Sequence, residues 1–183
     1  MVIIMIRQSF LVIAFLLLLL SAGDAFADDD QGFAVNFGVG VSQIKDTDGT
    51  EKFDGNAFGY SIGGEYRFGT NFALGSSIFG LGTADDDFNG SNTEIEVKGA
   101  DLKMRFIMPV TDGVEFFGQV GHAWYTADLE PGGNNGLGDT AVEFGLGMDF
   151  GSGKLAFRLA GIYLDGAKKE TGALVTAGFN YRF

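Results

Sequence analysis

The residues best placed to do chemistry are charged side chains that alternate with apolar ones along short segments. A set of both signs, enclosed between strands, could form a narrow polar pathway for ions or a salt-bridged plug. Because an unpaired buried charge is costly, opposite charges should pair, and we favour the plug. We predict a lumen charge network of Glu65, Arg67, Asp101, Lys103, Arg105, Glu115, Glu143, Asp149, Arg158 and Arg182, with Gln119 on the same face.

His122 is the only histidine, and it lies on the apolar face of its predicted strand with Val120 and Trp124. A membrane-lipid deacylase could use a histidine and a serine on such a face. The pattern of those enzymes has the serine two residues after the histidine, where this chain has Trp124. Other nucleophilic mechanisms that need a histidine base are disfavoured for the same reason. We therefore predict that the protein is not an enzyme, and we interpret His122 as an interfacial residue.

Two acidic clusters could bind a cation. A partial calcium-loop pattern, DTDGTE, occupies residues 46–51, but the twelfth position, which should be a glutamate, is Ala57. The second cluster is Asp85-Asp86-Asp87. We interpret both as solvated loop charge; weak divalent-cation bridging to anionic lipopolysaccharide is the alternative. No metal site and no cofactor are predicted.

The composition excludes several classes of protein. The 183 residues carry a formal net charge of −12, so nucleic acid, whose binding depends on phosphate neutralisation by Lys and Arg, is not expected as a partner. The absence of cysteine excludes disulfides and thiol chemistry. Thirty glycines and only two prolines disfavour a protein of long helices.

The first 27 residues have the pattern of a secretory signal peptide. The apolar run Phe10–Leu20 follows Arg7 and is too short to span a bilayer, which needs about 20 residues. Small residues at Ala25 and Ala27 then form a cleavage site. We predict a signal peptide at residues 1–27 and one domain at residues 28–183.

After residue 27 the apolar residues recur with a period of two, which is typical of strands. Short connections alternate with longer, acidic and glycine-rich ones at 44–56, 83–93, 127–138 and 165–171. This alternation is the connectivity of an up-and-down barrel. We predict an all-β fold, an eight-stranded antiparallel up-and-down barrel, with strands at 31–43, 57–68, 71–82, 94–108, 113–126, 139–150, 154–164 and 172–183.

Parity alone does not say which face of a strand points outward, and a soluble lipocalin-type barrel with an apolar cavity is the rival architecture. Aromatic residues at both ends of the apolar face favour a transmembrane barrel, because such girdles lie at the two bilayer interfaces. Phe58 and Tyr60 stand at one end, and Tyr66 and Phe68 at the other.

The third predicted strand fits this facing pattern poorly. Phe72 and Leu74 lie on one phase, whereas Phe79 and Leu81 lie on the other. Because one extra residue reverses the facing of a strand, we expect a bulge between Leu74 and Phe79.

The chain ends on alternate aromatic residues, Phe179, Tyr181 and Phe183. With eight strands and alternating turns and loops, residues 28–183 resemble the family of small outer-membrane barrels, which includes OmpA-type, OmpX-type and opacity-type porin-family proteins. The resemblance implies an outer-membrane β-barrel domain in a Gram-negative bacterium, in contact with outer-membrane lipid and lipopolysaccharide. It also implies that Phe179, Tyr181 and Phe183 form an assembly signal that is read by the barrel-assembly machinery.

Three hypotheses about function remain. The leading one is a structural or surface-interaction role, in which any extracellular ligand binds through the four longer connections. The second is a narrow porin-like channel for ions or small solutes. The third, an outer-membrane lipid-modifying enzyme, requires a polar catalytic partner for His122. Function in this family lies in the loops, so the fold does not decide among them.

Overall fold

The computed structural model describes residues 31–46, 53–88, 91–130, 139–166 and 170–183. The predicted signal peptide at residues 1–27, with Ala25 and Ala27, lies outside the described residues. The described residues form eight strands: β1 Gln31–Asp46, β2 Phe53–Phe68, β3 Phe72–Phe88, β4 Ser91–Thr111, β5 Val114–Glu130, β6 Asp139–Phe150, β7 Leu155–Gly166 and β8 Glu170–Arg182.

Each strand pairs in antiparallel register with the next one in the chain, and the first strand pairs with the last. The β1–β8 register places Phe37 opposite Phe179 and Val41 opposite Val175. The sheet is therefore a closed barrel, and the predicted eight-stranded antiparallel up-and-down fold is confirmed. Among the described residues, no helix is long and apolar enough to cross a membrane.

The two ends of the barrel differ in their connections. At the turn end, three short turns join β2 to β3, β4 to β5 and β6 to β7. Positive φ angles of 101° at Gly69 and 90° at Gly113 explain why glycine occupies two of these turns. The other four connections, at residues 47–52, 89–90, 131–138 and 167–169, lie at the opposite end, which we call the loop end.

The strands continue further toward the loop end than the sequence predicts. Most of the expected connection at 83–93 is a ladder between β3 and β4, in which Phe88 faces Ser91. The expected connections at 44–56, 127–138 and 165–171 are shortened in the same way by the strands that flank them. Outside the bilayer the outer face of a strand meets water, and the apolar residues Ile44, Phe53 and Ala84 of these extensions point inward. Backbone pairing therefore continues there without the apolar outer face that marks the membrane-spanning strands in the sequence.

The outer face of the barrel is an apolar band. Large apolar side chains remain exposed there, with Leu146 at 73% and Phe58 at 67%. Aromatic residues flank the band on both sides, as expected for girdles at two bilayer interfaces. Those toward the loop end include Phe58, Tyr60, Trp124 and Tyr163, and those toward the turn end include Phe68, Phe72, Phe106, Phe116 and Tyr181.

Strand β3 departs from the predicted facing. Its ladder with β4 is regular as far as Gly80, so Phe79 lies on the inner face while Leu74 lies on the outer face. The register shifts only beyond Gly80, so the predicted bulge between Leu74 and Phe79 is wrong in position. Phe79 and Leu81 point inward because the loop-end half of the barrel interior is itself apolar.

Candidate functional site

The inner face of the barrel brings together the charged side chains singled out in the sequence. Five are acidic and five are basic, and seven of the ten are buried. Burying charge is tolerated only where partners compensate for the lost hydration, so the pairing geometry decides how firmly this layer is held. The buried members are Glu65, Asp101, Lys103, Arg105, Glu143, Asp149 and Arg158.

Glu65 on β2 lies at the centre of the layer. Its Oε2 accepts a hydrogen bond from Arg105 Nη1. Arg158 Nη2 lies 3.1 Å from Glu65 Oε1, and Arg158 Nη1 lies 3.2 Å from Oε2. Arg105 is on β4 and Arg158 on β7, neither of which adjoins β2, so these contacts cross the lumen. One carboxylate therefore compensates two buried guanidinium groups.

Arg158 is also held by Asp149 in a bidentate pair. The distances from Arg158 Nε to Asp149 Oδ1 and from Nη2 to Oδ2 are both 2.7 Å. Asn180 Nδ2 donates to Asp149 Oδ2 at 3.2 Å, which connects β8 to the layer. A planar guanidinium that is bonded to two carboxylates has a fixed orientation, and Arg158 therefore stands rigidly across the lumen.

A second arm of the layer runs from Arg105 toward the loop end. Arg105 Nη2 donates to Gln119 Oε1 at 2.8 Å, and Gln119 Nε2 donates to Glu143 Oε1 at 2.5 Å. Lys103 Nζ lies 2.9 Å from Asp101 Oδ2 and 3.7 Å from Glu143 Oε1. Arg105 bonds both to Glu65 and to Gln119. An unbroken series of hydrogen bonds and ion pairs therefore connects the buried charged residues.

Charged residues also close the turn end of the layer. Glu115 accepts from Arg67 Nη1 at 2.9 Å and from Arg182 Nη2 at 2.5 Å. Arg67 Nη2 also donates to the carbonyl oxygen of Thr70 at 2.6 Å. Arg182 Nη2 lies 3.7 Å from Asp149 Oδ2, which joins this group to the buried layer. We call the connected set of ten charges the lumen network; its formal charge is zero.

Phe117 is an inner residue that the sequence analysis missed. Its ring lies 4.2 Å from Arg105 Cζ and 5.0 Å from Arg158 Cζ, which are cation–π distances. Gly147 makes room for the ring, since a Cβ at that position would lie 2.4 Å from Phe117 Cζ. Phe117 shares its phase with Glu115, and this parity was the available indication that it points inward.

Ser77 and Asn180 also contribute to the network without having been assigned to it. Ser77 Oγ accepts from Lys103 Nζ at 2.8 Å and donates to Asp101, whose Oδ1 accepts from the Ser77 backbone N at 2.9 Å. Glu143 Oε2 and Asn180 Oδ1 are buried without a hydrogen-bond partner among the described residues. The arm through Glu143 is therefore less completely bonded than the contacts of Glu65.

Toward the loop end the lumen network gives way to an apolar layer. Its most buried members, Phe53, Phe79, Leu81 and Leu174, are each at most 2% exposed. Only charged residues and Gln119 were assigned to the lumen in the sequence analysis, which did not predict this apolar layer. The layer contains a cavity of about 60 Å³.

His122 lies on the outer face of the barrel. Its ring meets that of Trp124 edge to face, with 4.7 Å between centroids. Within the described part of the chain, no hydrogen bond or ion pair involves the side chain of His122. The expectation that the protein is not an enzyme stays a prediction.

The terminal aromatic residues lie in the outer band at the turn end. Phe179, Tyr181 and Phe183 are all exposed. The Phe183 ring is 5.2 Å from that of Tyr181 and 5.9 Å from that of Phe33, measured between centroids. The Phe183 backbone N also donates to the Phe33 carbonyl oxygen at 3.0 Å. These contacts give Phe183 a structural role in the turn-end girdle, and its role in assembly stays a prediction.

The structure describes only part of the two acidic clusters. The calcium-like pattern at 46–51 lies almost entirely outside the described residues. In the second cluster, Asp86 Oδ2 accepts from the Asp54 backbone N at 2.9 Å. Across the parts of the chain that the structure describes, no group of three or more acidic or histidine side chains is arranged to hold a metal ion.

Glu65→Gln should destabilise the barrel by about 3–5 kcal/mol, because two buried guanidinium groups lose the carboxylate that they share. The change in the free energy of unfolding is measured by urea titration, with the folded fraction at each urea concentration read from the heat-dependent mobility shift on SDS gels. Glu96→Gln is the matched control: partly exposed Glu96 lies 2.8 Å from Lys98 Nζ, and losing such a pair should cost less than about 1 kcal/mol. Equal losses in the two variants would contradict a central role for Glu65.

Comparison with known proteins gives a family and several structural relatives. The family model for the outer membrane protein beta-barrel domain matches residues 12–183. Neisserial surface protein A is 14% identical with a TM-score of 0.60, covering 82% of this chain and 97% of that one. The N-terminal barrel domain of Pseudomonas aeruginosa OprF is 12% identical with a TM-score of 0.60, covering 82% and 97%. Yersinia pestis Ail, in complex with the heparin analogue sucrose octasulfate, is 16% identical with a TM-score of 0.53, covering 82% and 99%.

A comparison with curated protein sequences finds no significant match. At these identities the solved structures show a common fold and nothing about ligands. The family match, in contrast, extends over most of the chain and agrees with a closed barrel that carries an apolar outer band. The chain therefore belongs to the outer membrane protein beta-barrel domain family, and it is a protein of the cell outer membrane.

Proposed function

We propose that this outer-membrane barrel has a surface-interaction role, with a lumen that is plugged and does not conduct. The observation that carries the proposal is the lumen network, to which β2 through β8 all contribute side chains. An eight-stranded barrel is only wide enough for its own side chains to fill it. Because the network is bonded across that width, we expect no continuous water column for ions to follow.

The space beside the network is small. One cavity of about 30 Å³ lies next to Lys103 and Arg105, and another of about 100 Å³ lies at the turn end beside Arg67. Such volumes suit a few bound water molecules that bridge polar groups. Opening a path would require ion pairs to separate inside the barrel, where losing one partner is strongly unfavourable.

The wild-type protein in a planar bilayer should therefore show no discrete conductance steps. Glu65→Ala combined with Arg105→Ala removes both members of one cross-lumen pair and leaves Arg158 bonded to Asp149, so this double variant should conduct. Single-channel recording measures both, using material whose gel mobility shifts on heating.

The matched control for this experiment removes Glu96 and Lys98, an outer-face pair in which Lys98 is exposed and Glu96 is partly exposed, and should stay silent. Reproducible steps from the wild-type protein would contradict the plug and would favour the narrow porin-like channel.

We further propose that the interaction surface is the acidic loop end and that its partner is basic. Glu96 faces Asp128 across the β4–β5 ladder, and Glu94 continues the outward face of β4. With a net charge of −12, the chain should repel polyanions and attract cationic surfaces. The proposed partner therefore has the opposite charge to the ligand seen with Ail, because sucrose octasulfate is polyanionic.

Full-length protein in lipid nanodiscs should bind poly-L-lysine in a salt-dependent manner and should not bind heparin. The combination Glu94→Gln, Glu96→Gln and Asp128→Asn should weaken poly-L-lysine binding about tenfold, at roughly 0.5 kcal/mol for each charge lost. Surface plasmon resonance measures both. The control is Asp112→Asn at the turn end, which should have no effect; tighter binding of heparin than of poly-L-lysine would contradict a basic partner.

We also propose that Phe183 is part of a terminal assembly signal, together with Phe179 and Tyr181. Phe183→Ala should lower the amount of folded barrel in cells several-fold while leaving refolding of the purified protein in detergent nearly unchanged. Heat-dependent gel mobility measures the folded fraction in both settings. Phe72→Ala removes another exposed girdle aromatic, 43% exposed against 46% for Phe183, and should assemble normally. A loss of equal size in cells and in detergent would assign Phe183 a structural role only.

A further inference from the structure

The geometry points to a ligand site inside the loop end of the barrel: we propose that the cavity in the apolar layer binds the alkyl end of a short cationic amphiphile. This inference goes beyond the surface-interaction role, because it concerns a small molecule and a concave site within the barrel. It also does not depend on the terminal assembly signal.

The walls of the cavity come from seven of the eight strands, with β2 as the exception. They are predominantly aliphatic, and the principal apolar lining side chains are Ile44, Leu81, Ile95, Val97, Tyr125 and Leu164. The one charged residue of the lining is Lys45, whose Nζ lies 3.1 Å from Asp54 Oδ2 and is thereby neutralised. Ala127 and Ala141 complete the wall with small side chains, which is where the free space arises. A concave, largely apolar site with few polar groups is the usual form of a small-molecule pocket.

The cavity has a closed floor. Phe79 and Leu174, each 1% exposed, belong to the apolar layer that surrounds it. Ser77, two residues before Phe79 on β3 and nearer the turn end, faces Asp101 of the lumen network. A molecule that enters must therefore come from the loop end, and its polar part must stay on that side, because the network below offers it no route.

The cavity is large enough only for the end of an alkyl chain. Its volume of about 60 Å³ is well below the 150 Å³ or so of an engineered apolar cavity that binds benzene. It therefore suits the last few carbons of an unbranched alkyl chain rather than a ring. Burial of each methylene is favourable, and the protein interior gains the packing that an unfilled apolar cavity lacks.

The charge of the loop end determines which head group of the amphiphile is favoured. The described strand ends nearest this end carry more acidic than basic side chains: Asp54, Asp85, Asp86, Glu94, Glu96, Asp128 and Asp165 against Lys45 and Lys98. The field of such a set concentrates cations and repels anions at the entrance. An ammonium head is therefore favoured over a carboxylate head on the same alkyl chain.

Methyl NMR of the full chain in nanodiscs of deuterated lipid tests the proposal. Hexylammonium is the probe, and 1-hexanol and hexanoate are its matched analogues. Saturable shifts are expected at the methyl groups of Ile44, Ile95 and Val97, strongest with hexylammonium and weakest with hexanoate. The outward methyl groups of Val41 and Val120, which report partition into lipid, should shift without saturation.

Ala127→Leu should fill the cavity and weaken hexylammonium binding about tenfold, equivalent to excluding roughly two methylenes. Ala100→Leu adds the same atoms to an exposed outer position and should leave the affinity unchanged. Three results would overturn the proposal: shifts confined to outward methyl groups, equal affinity for hexanoate and hexylammonium, or equal affinities in the two variants. Because the wild-type titration is sufficient by itself, the proposal stays testable even if Ala127→Leu fails to fold. Failure of this site would leave the poly-L-lysine result unaffected.

Discussion

The backbone of a membrane-spanning strand must find every hydrogen-bond partner within the sheet, because hydrocarbon offers none. In this protein the requirement is met where β1 pairs with β8, which removes both free edges of the sheet. Closure at eight strands also sets the width of the lumen. Charged side chains on opposite walls are thereby brought within bonding distance, as Glu65 is with Arg105 and Arg158. The lumen network is thus a consequence of closure as much as of composition.

The interior has two levels with different physical properties. At the level of the turn-end half, opposite charges are paired across the barrel and Phe117 lies against two guanidinium groups. At the loop end, aliphatic and aromatic side chains replace the charges and leave a small cavity. The first level resists opening because separating buried ion pairs is unfavourable. We propose that the second accepts apolar atoms from outside, and the difference between the two levels supports the proposed surface role in preference to transport through the lumen.

Belonging to the family establishes the membrane location and the architecture, whereas the partner depends on features of this chain. Related barrels with 12–16% identity share the fold, yet their surfaces need not resemble this one. The property of this chain that bears most directly on a partner is its acidity, carried at the loop end by outward residues such as Glu94, Glu96 and Asp128. Charge of this kind affects encounter and selectivity over longer distances than shape does, so it is a sound basis for choosing among partners.

The sequence by itself determined the strand number, the order of turns and loops, and the inward phase of the charged residues, because a period of two is a local property of the chain. Which charges meet was decided only by the tertiary structure: Glu65 and Arg158 are 93 residues apart and lie on strands that do not adjoin. The apolar character of Phe117 and Phe79 was misleading although their parity places them on the inner face, since an apolar residue is compatible with lipid on one side and with a packed interior on the other. The strand ends at the loop end were underestimated for a related reason: outside the bilayer the outer face is polar, so backbone pairing continues there without the apolar outer face that marks the membrane-spanning strands in the sequence.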